Sequence, residues 1–240
     1  MECDELSNNS TISNISENQN KFSLIFDTEE FTYTPSIEEL KPEINNIVST
    51  ANLGTCLNLK FISLKIKNTE YNSNKNSTLI YKSKDNKVTM IIYSSGKMLC
   101  SGAKNEKESK SACIKFYKIV KKLGFNVELK DFKIQNIVAC YDIKYKLSLL
   151  KLYYVINNLI NNSKKLGNNN NYCKYNKDNK DNFPNIVFYI NDEKIIINFF
   201  ESGKIVISGA KKRKEIEEVF KNIYPLLIES KSINNEEQQK

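Results

Sequence analysis

The stretch Tyr93-Ser-Ser-Gly-Lys-Met-Leu-Cys-Ser-Gly-Ala-Lys104 returns 107 residues later as Phe200-Glu-Ser-Gly-Lys-Ile-Val-Ile-Ser-Gly-Ala-Lys211. A second pair, Asn46-Ile-Val-Ser-Thr and Asn136-Ile-Val-Ala-Cys, recurs at an offset of 90. The chain is therefore an internal duplication whose second copy holds 17 more residues between its two shared motifs. A repeat of this length means two copies of one structural unit related by pseudo-twofold symmetry. Such symmetry suits a symmetric partner.

Working outward from these motifs, both copies give the same order of elements. Ile44–Leu53 reads as a strand closed by Gly54, and Leu57–Ile66 as a short helix. Leu79–Lys82, Val88–Tyr93 and Lys97–Ser101 follow as strands, with turn signals at Ser83–Asn86 and Ser94–Gly96. The period then switches: Ala112, Cys113, Phe116, Ile119, Val120 and Leu123 recur at helical spacing before the stop at Gly124. Lys107, Lys110, Lys118 and Lys121 fall on the opposite face.

The second copy repeats the series as strand Phe132–Tyr141, helix Leu147–Leu159 and strands Ile186–Ile190, Lys194–Phe200 and Lys204–Ser208. A last helix carries Ile216, Val219, Phe220, Ile223 and Leu227, and Pro225 predicts a bend or an end in it. The Asn-rich segment 161–182 lacks apolar residues to pack and is predicted to be a surface loop. The expected organisation is an acidic, disordered extension over 1–43, a first repeat over 44–134, a second over 135–229 and a polar tail over 230–240.

Charge divides along the same lines. The net charge is +8, yet residues 1–45 hold ten acids against two lysines, which leaves +16 on residues 46–240. A body that basic is built to sit near polyanions, nucleic acid first. Almost all the cations are lysine, with Arg213 the only arginine, and Asn is abundant, a composition that nucleotide bias also produces. There is no histidine, which removes the commonest general base and every Ser-His or Cys-His nucleophile. Six cysteines without a Cys-x-x-Cys pair make no zinc site, and Cys100, Cys113 and Cys140 read as buried thiols. No stretch is apolar for long enough to span a bilayer, and the N-terminus lacks the pattern of a secretory signal. A reducing intracellular compartment is expected; carboxylate or metal-assisted chemistry stays open, although no paired-carboxylate motif stands out to support it.

The sheet is apolar on both faces. Val88, Met90 and Ile92 oppose Thr89, Ile91 and Tyr93, and Ile195, Ile197 and Phe199 oppose Ile196, Asn198 and Phe200. The helices cover only one face. The other is covered by an unassigned element such as the N-terminal segment, or it is a binding surface.

Taken together, Asn46-Ile-Val-Ser-Thr with Asn52-Leu-Gly, Glu70-Tyr-Asn, Ser95-Gly-Lys with Ser101-Gly-Ala-Lys, Leu123-Gly-Phe, Asp131-Phe-Lys-Ile-Gln-Asn-Ile-Val, Phe183-Pro and Asn222-Ile-Tyr-Pro resemble the core of the TATA-box-binding protein family. The resemblance covers residues 44–229, both repeats in order. It implies an α+β fold in which two half-domains form one curved antiparallel sheet, the saddle, with helices on the convex back and an apolar concave face in a widened minor groove. The family is itself a reference case for minor-groove wedging, so the kink enters from the resemblance alone.

The resemblance also assigns residues. Asn46 and Asn136 match the paired asparagines that hydrogen-bond minor-groove acceptors, while Val48, Val138, Leu99 and Val206 match flanking apolar contacts. Ser101 and Ser208 stand where threonine is usual, so each hydroxyl stays and a methyl is lost. Of the wedge phenylalanines, Phe183 and Phe200 fill the second pair, whereas Asn76 and Tyr93 fall at the first. Tyrosine still stacks, but asparagine supplies no apolar wedge, so unequal kinks are expected.

Lys75, Lys82, Lys87, Lys97, Lys194 and Lys204 fall at or beside phosphate-contacting positions, and Tyr189 replaces a usual arginine. Six such contacts would give a log-log salt slope of about −5. The implied partners are TATA-like double-stranded DNA, transcription factors IIA and IIB and TBP-associated factors, in the nucleus. The loop that meets factor IIB has lost most of its acids, with Asp178 and Asp181 left. The leading reading is a general transcription initiation factor; the alternative is a paralogue with relaxed TATA recognition that acts mainly as a protein scaffold. An enzyme with this fold as an accessory module would need a catalytic domain for which little length remains.

Overall fold

The two-residue alternation of buried and outward side chains builds the strands, and in this computed structural model it is nearly unbroken. The structure describes residues 34–73, 77–83, 87–165, 170–177, 184–190 and 194–232. Among these the first copy forms β1 (Glu43–Asn52), α1 (Leu59–Lys65), β2 (Thr69–Asn72), β3 (Thr78–Lys82), β4 (Thr89–Tyr93), β5 (Lys97–Ala103) and α2 (Glu106–Lys122). The second forms β6 (Lys130–Asp142), α3 (Leu149–Lys165), β7 (Tyr172–Asn176), β8 (Asn185–Ile190), β9 (Ile195–Phe200), β10 (Lys204–Ala210) and α4 (Arg213–Glu229). The ten strands make one antiparallel sheet in the order β2-β3-β4-β5-β1-β6-β10-β9-β8-β7. That order is a mirror about the β1–β6 pair, as the duplication requires.

One face of the sheet carries the core. Met90, Ile92, Met98 and Cys100 are buried in the first half with Phe116 and Val120 of α2. Ile197, Phe199, Ile205 and Ile207 repeat the arrangement, with Leu152 and Ile156 of α3 and Ile216 and Phe220 of α4. Tyr141 stacks on Phe220 with ring centroids 3.6 Å apart. Each fully buried Ile, Leu or Phe contributes roughly 1.5–3 kcal/mol, which is what fixes the helices to this face. The lysines of α2 remain exposed on its far side. Asn105 caps α2 by accepting from the Glu108 amide at 2.8 Å, and Glu108 accepts in return from the Lys104 amide at 2.8 Å. No helix among the described residues is long and apolar enough to cross a membrane.

The structure departs from the sequence reading in four places. The extra length of the second copy is not simply a loop: α3 is 17 residues against 7 in α1, so Asn161–Lys165 prolongs a helix, and Tyr172–Asn176 is a strand. Periodic Leu152, Ile156 and Ile160 are buried along α3 and carry it beyond Leu159. Of the bend or end expected at Pro225 the end is excluded, since α4 runs on to Glu229 with Tyr224 and Leu227 on either side of the proline buried. Cys140 is only half-buried and lies on the face away from the helices. Residues 35–40, placed in the disordered extension, are ordered: Pro35 is buried, Ile37 and Leu40 pack on the core, and the Tyr224 hydroxyl donates to the Pro35 carbonyl.

Four glycines hold positive φ at equivalent places in the two copies. Gly102 and Gly209 both sit at φ +99, where a Cβ would lie 2.7 Å from the Lys87 carbonyl oxygen and 1.9 Å from that of Lys194. Gly96 and Gly203 form the β4–β5 and β9–β10 turns, their amides donating to Tyr93 O and Phe200 O. Gly124, at φ +92, has nothing within 4 Å of such a Cβ. Gly209→Ala should therefore cost more than roughly 3 kcal/mol, because a backbone clash adds to the ~1–3 kcal/mol of a strained φ. Gly124→Ala should cost about 1 kcal/mol. Urea midpoints of the two variants check the order; equal losses would show that the backbone at Lys194 yields freely.

Candidate nucleic-acid interface

The face opposite the helices is built from the alternate residues of the same strands. Its centre is the β1–β6 pair, where Asn46 lies opposite Val138 and Val48 opposite Asn136, a symmetric square of two amides and two isopropyl groups. The local twofold passes beside Ile47 and Ile137, which are paired and point into the core.

Each asparagine is fixed by a glycine amide. Asn46 Oδ1 accepts from Gly102 N at 2.7 Å, and Asn136 Oδ1 accepts from Gly209 N at 2.7 Å. These amides are available because the strand register shifts there: two residues of β5 stand against one of β1 between Ile47 and Ser49, and β10 shifts likewise against β6 between Ile207 and Ala210. A backbone N–H can only donate, so the contact settles which end of the side-chain amide is oxygen. Both Nδ2 groups are thereby left as donors on the open face. The described residues hold no partner for either.

Three rows of side chains run outward from this centre. The middle row is Thr50, Leu99, Ile91 and Ile80 in the first half, and Cys140, Val206, Asn198 and Val187 in the second. The inner row carries Ser101, Thr89 and Lys82 against Ser208, Ile196 and Tyr189. The outer row begins with Lys97 and Lys204 and reaches Tyr93 and Phe200. Val48, Leu99, Val138 and Val206 are half-buried, and Tyr93 is 38% exposed. The predicted base-edge residues thus share one surface.

The lysines rim it. Lys87 and Lys194 precede β4 and β9 at equivalent positions, Lys97 and Lys204 begin β5 and β10, and all four are exposed. Lys82 is exposed but ion-paired with Glu70 at 2.9 Å. Lys204 lies opposite Asp142, whose carboxyl is held below the usual carboxylate range chiefly by the Lys144 side chain at 2.9 Å. Lys75, Asn76 and Phe183 lie outside the described residues, as do Asp178 and Asp181.

Sequence reasoning missed several parts of this surface. Asn176 Nδ2 donates to Asn185 Oδ1 at 3.0 Å and Asn185 Nδ2 to Asn198 Oδ1 at 3.2 Å, a chain of amides beside Phe200. Near the centre Gln135 Nε2 donates to Thr50 Oγ1 at 2.8 Å, a bond whose counterpart positions are Asn45 and Cys140. The edge strands β2 and β7 were missed as well. The 107-residue offset that aligns the two copies contains the signal for Asn198, since it sets that amide against Ile91.

A helix-free face with paired donors at its centre, apolar flanks and a lysine rim matches what a minor groove presents, in which A·T pairs show only acceptors. Comparison with known proteins gives the same direction. Residues 41–123 and 131–230 match the family model described as transcription factor TFIID (or TATA-binding protein, TBP). The chain is 42% identical over 190 residues to the TATA-box-binding protein of Acanthamoeba castellanii, covering 79% of this chain and 67% of that one. It is 41% identical over 192 residues to TATA-box-binding protein 1 of Arabidopsis thaliana, covering 80% and 88%. The solved structure of Methanococcus jannaschii TBP superposes with a TM-score of 0.65 at 27% identity, covering 79% of this chain and 99% of that one. With its two matched repeats, its mirrored ten-stranded sheet and its glycine-clamped asparagine pair, the chain belongs to the TATA-box-binding protein family.

Proposed function

We propose that this chain is a general transcription initiation factor that binds A·T-rich core-promoter DNA through the minor groove, bends it, and recruits the initiation machinery in the nucleus without catalysing a reaction. The observation that carries the reading is the pair of asparagine amides whose oxygens are taken by Gly102 N and Gly209 N, leaving two donors at the centre of the open face. A donor there meets the A N3 and T O2 acceptors of an A·T pair and collides with the amino group of guanine. Val48, Val138, Leu99 and Val206 make the apolar contacts, Ser101 and Ser208 add hydroxyls, and Phe200 with Phe183 wedges one end of the site. At the other end Tyr93 acts without a phenylalanine partner, because Asn76 takes that place in the sequence. Lys75, Lys82, Lys87, Lys97, Lys194 and Lys204 contact phosphates and set the salt dependence. Transcription factors IIA and IIB and TBP-associated factors are the protein partners, and they supply stability that the weaker wedge does not.

Binding and bending of a TATA duplex against a G·C-substituted duplex, at one stated salt, tests the reading. Each unfavourable pair costs about 1–3 kcal/mol, so replacing two central pairs should weaken binding by roughly a hundredfold or more. Equal affinity for the two would overturn sequence recognition and favour the paralogue acting as a scaffold. Asn136→Asp keeps the oxygen that accepts from Gly209 and turns the donor into an acceptor. Affinity for the TATA duplex should fall at least about tenfold, the ~1–3 kcal/mol of a polar group left unpaired. Thermal unfolding should be unchanged, which separates recognition from stability.

A further inference from the structure

The outer corners of the sheet differ by an exchange of charge. In the first half Glu70 on β2 lies opposite Ile80 and Lys82 on β3 lies opposite Thr89, and the two side chains are ion-paired at 2.9 Å. In the second half the equivalent positions hold Lys174 on β7, opposite Val187, and Tyr189 on β8, opposite Ile196. The acid has become a cation, and the cation has become a ring.

The new cation is held in place. Tyr189 stacks on Tyr172 with centroids 4.3 Å apart and 14° between planes, and Lys174 Nζ lies 5.3 Å from each centroid. The pairing of Tyr189 with Ile196 puts the rings on the open face, because Ile195 and Ile197 are buried on the other. Cys173 and Tyr175, at the alternate positions of β7, pack toward the core, and Tyr175 meets Tyr153 of α3 at 5.8 Å. Among the described residues no carboxylate is within ion-pair distance of Lys174. A lysine stem is otherwise among the most mobile side chains, so confinement beside the edges of the two stacked rings lowers the entropy lost when the ammonium engages an anion.

We propose that Lys174, positioned by Tyr172 and Tyr189, is a phosphodiester-binding site at the outer corner of the second half, and that Glu70 weakens the matching contact of Lys82 in the first. The assignment rests on the reading of the open face as a DNA surface. It moves the phosphate contact one strand outward from the position where Tyr189 supplies no charge. It also offsets, in the second half, the charge that Tyr189 does not supply.

The test is the affinity of the full chain for a TATA duplex across a salt series. Lys174→Gln should weaken binding and reduce the log-log salt slope by about 0.9, one phosphate contact. Lys174→Arg should restore both, and Glu70→Gln should tighten binding by releasing Lys82. Tyr189→Ala should weaken binding while keeping the slope, since the charge remains. Uncharged methylphosphonate linkages at the second-half end of the duplex should weaken the unaltered protein and leave Lys174→Gln indifferent. A normal slope for Lys174→Gln overturns this assignment alone; an unaltered protein that ignores the duplex overturns the DNA reading with it.

Discussion

The proposed interface depends on two hydrogen bonds within the protein itself, Gly102 N to Asn46 Oδ1 and Gly209 N to Asn136 Oδ1. A carboxamide without them presents donor or acceptor at will and reads nothing. With its oxygen occupied, each asparagine presents N–H₂ outward. The glycine amide is available only because the strand is bulged at that point, and the bulge exists only because a residue without Cβ can stand at φ +99 against a neighbouring carbonyl. Backbone geometry in β5 and β10 therefore determines what β1 and β6 display.

Separate register shifts within the β1–β6 pair, at Asn45 and Gln135, keep the two faces apart. Ile44, Ile47 and Ile137 stay in the core while Asn46 and Asn136 stand on the open side. The helix-covered face carries the burial that stabilises the fold, so the open face can keep half-exposed valines, isoleucines and a tyrosine that a monomeric protein would otherwise have little reason to leave uncovered. The segment from Pro35 to Leu40 packs on the core. It does not cover the open face, and residues 1–33 lie outside the described residues.

Much of this was legible in the sequence because it is written in duplicate. The Ser-Gly-Lys and Ser-Gly-Ala-Lys echoes aligned the strands and helices of the two copies, the alternation in Val88–Tyr93 and Ile195–Phe200 gave the two faces, and the family resemblance singled out Asn46 and Asn136. The clamp itself was not legible, since no pattern tells which backbone amide an asparagine oxygen will meet. Edge strand β2 escaped notice because Thr69–Asn72 has one apolar residue, Tyr71, in four. Strand β7 was hidden by its Asn-rich surroundings. The length of α3 was misjudged because polar Asn161 and Asn162 occupy exposed positions of a helix that the buried Ile160 still anchors.

The duplication is also where the two halves part. Ile91 against Asn198, Tyr93 against Phe200 and the Glu70–Lys82 pair against Lys174 and Tyr189 all lie on one surface, so the ends of any bound duplex meet different chemistry. The centre is symmetric, and the account stands or falls there. Its most direct test replaces the central A·T pairs of a TATA duplex by inosine·cytosine, which alters the major-groove edge while leaving the minor groove without the guanine amino group, and compares affinity with guanosine·cytosine. The account predicts that inosine·cytosine binds nearly as well as A·T and guanosine·cytosine far more weakly. Equal loss with both substitutions would contradict it, because the protein would then be reading something other than the minor-groove edge.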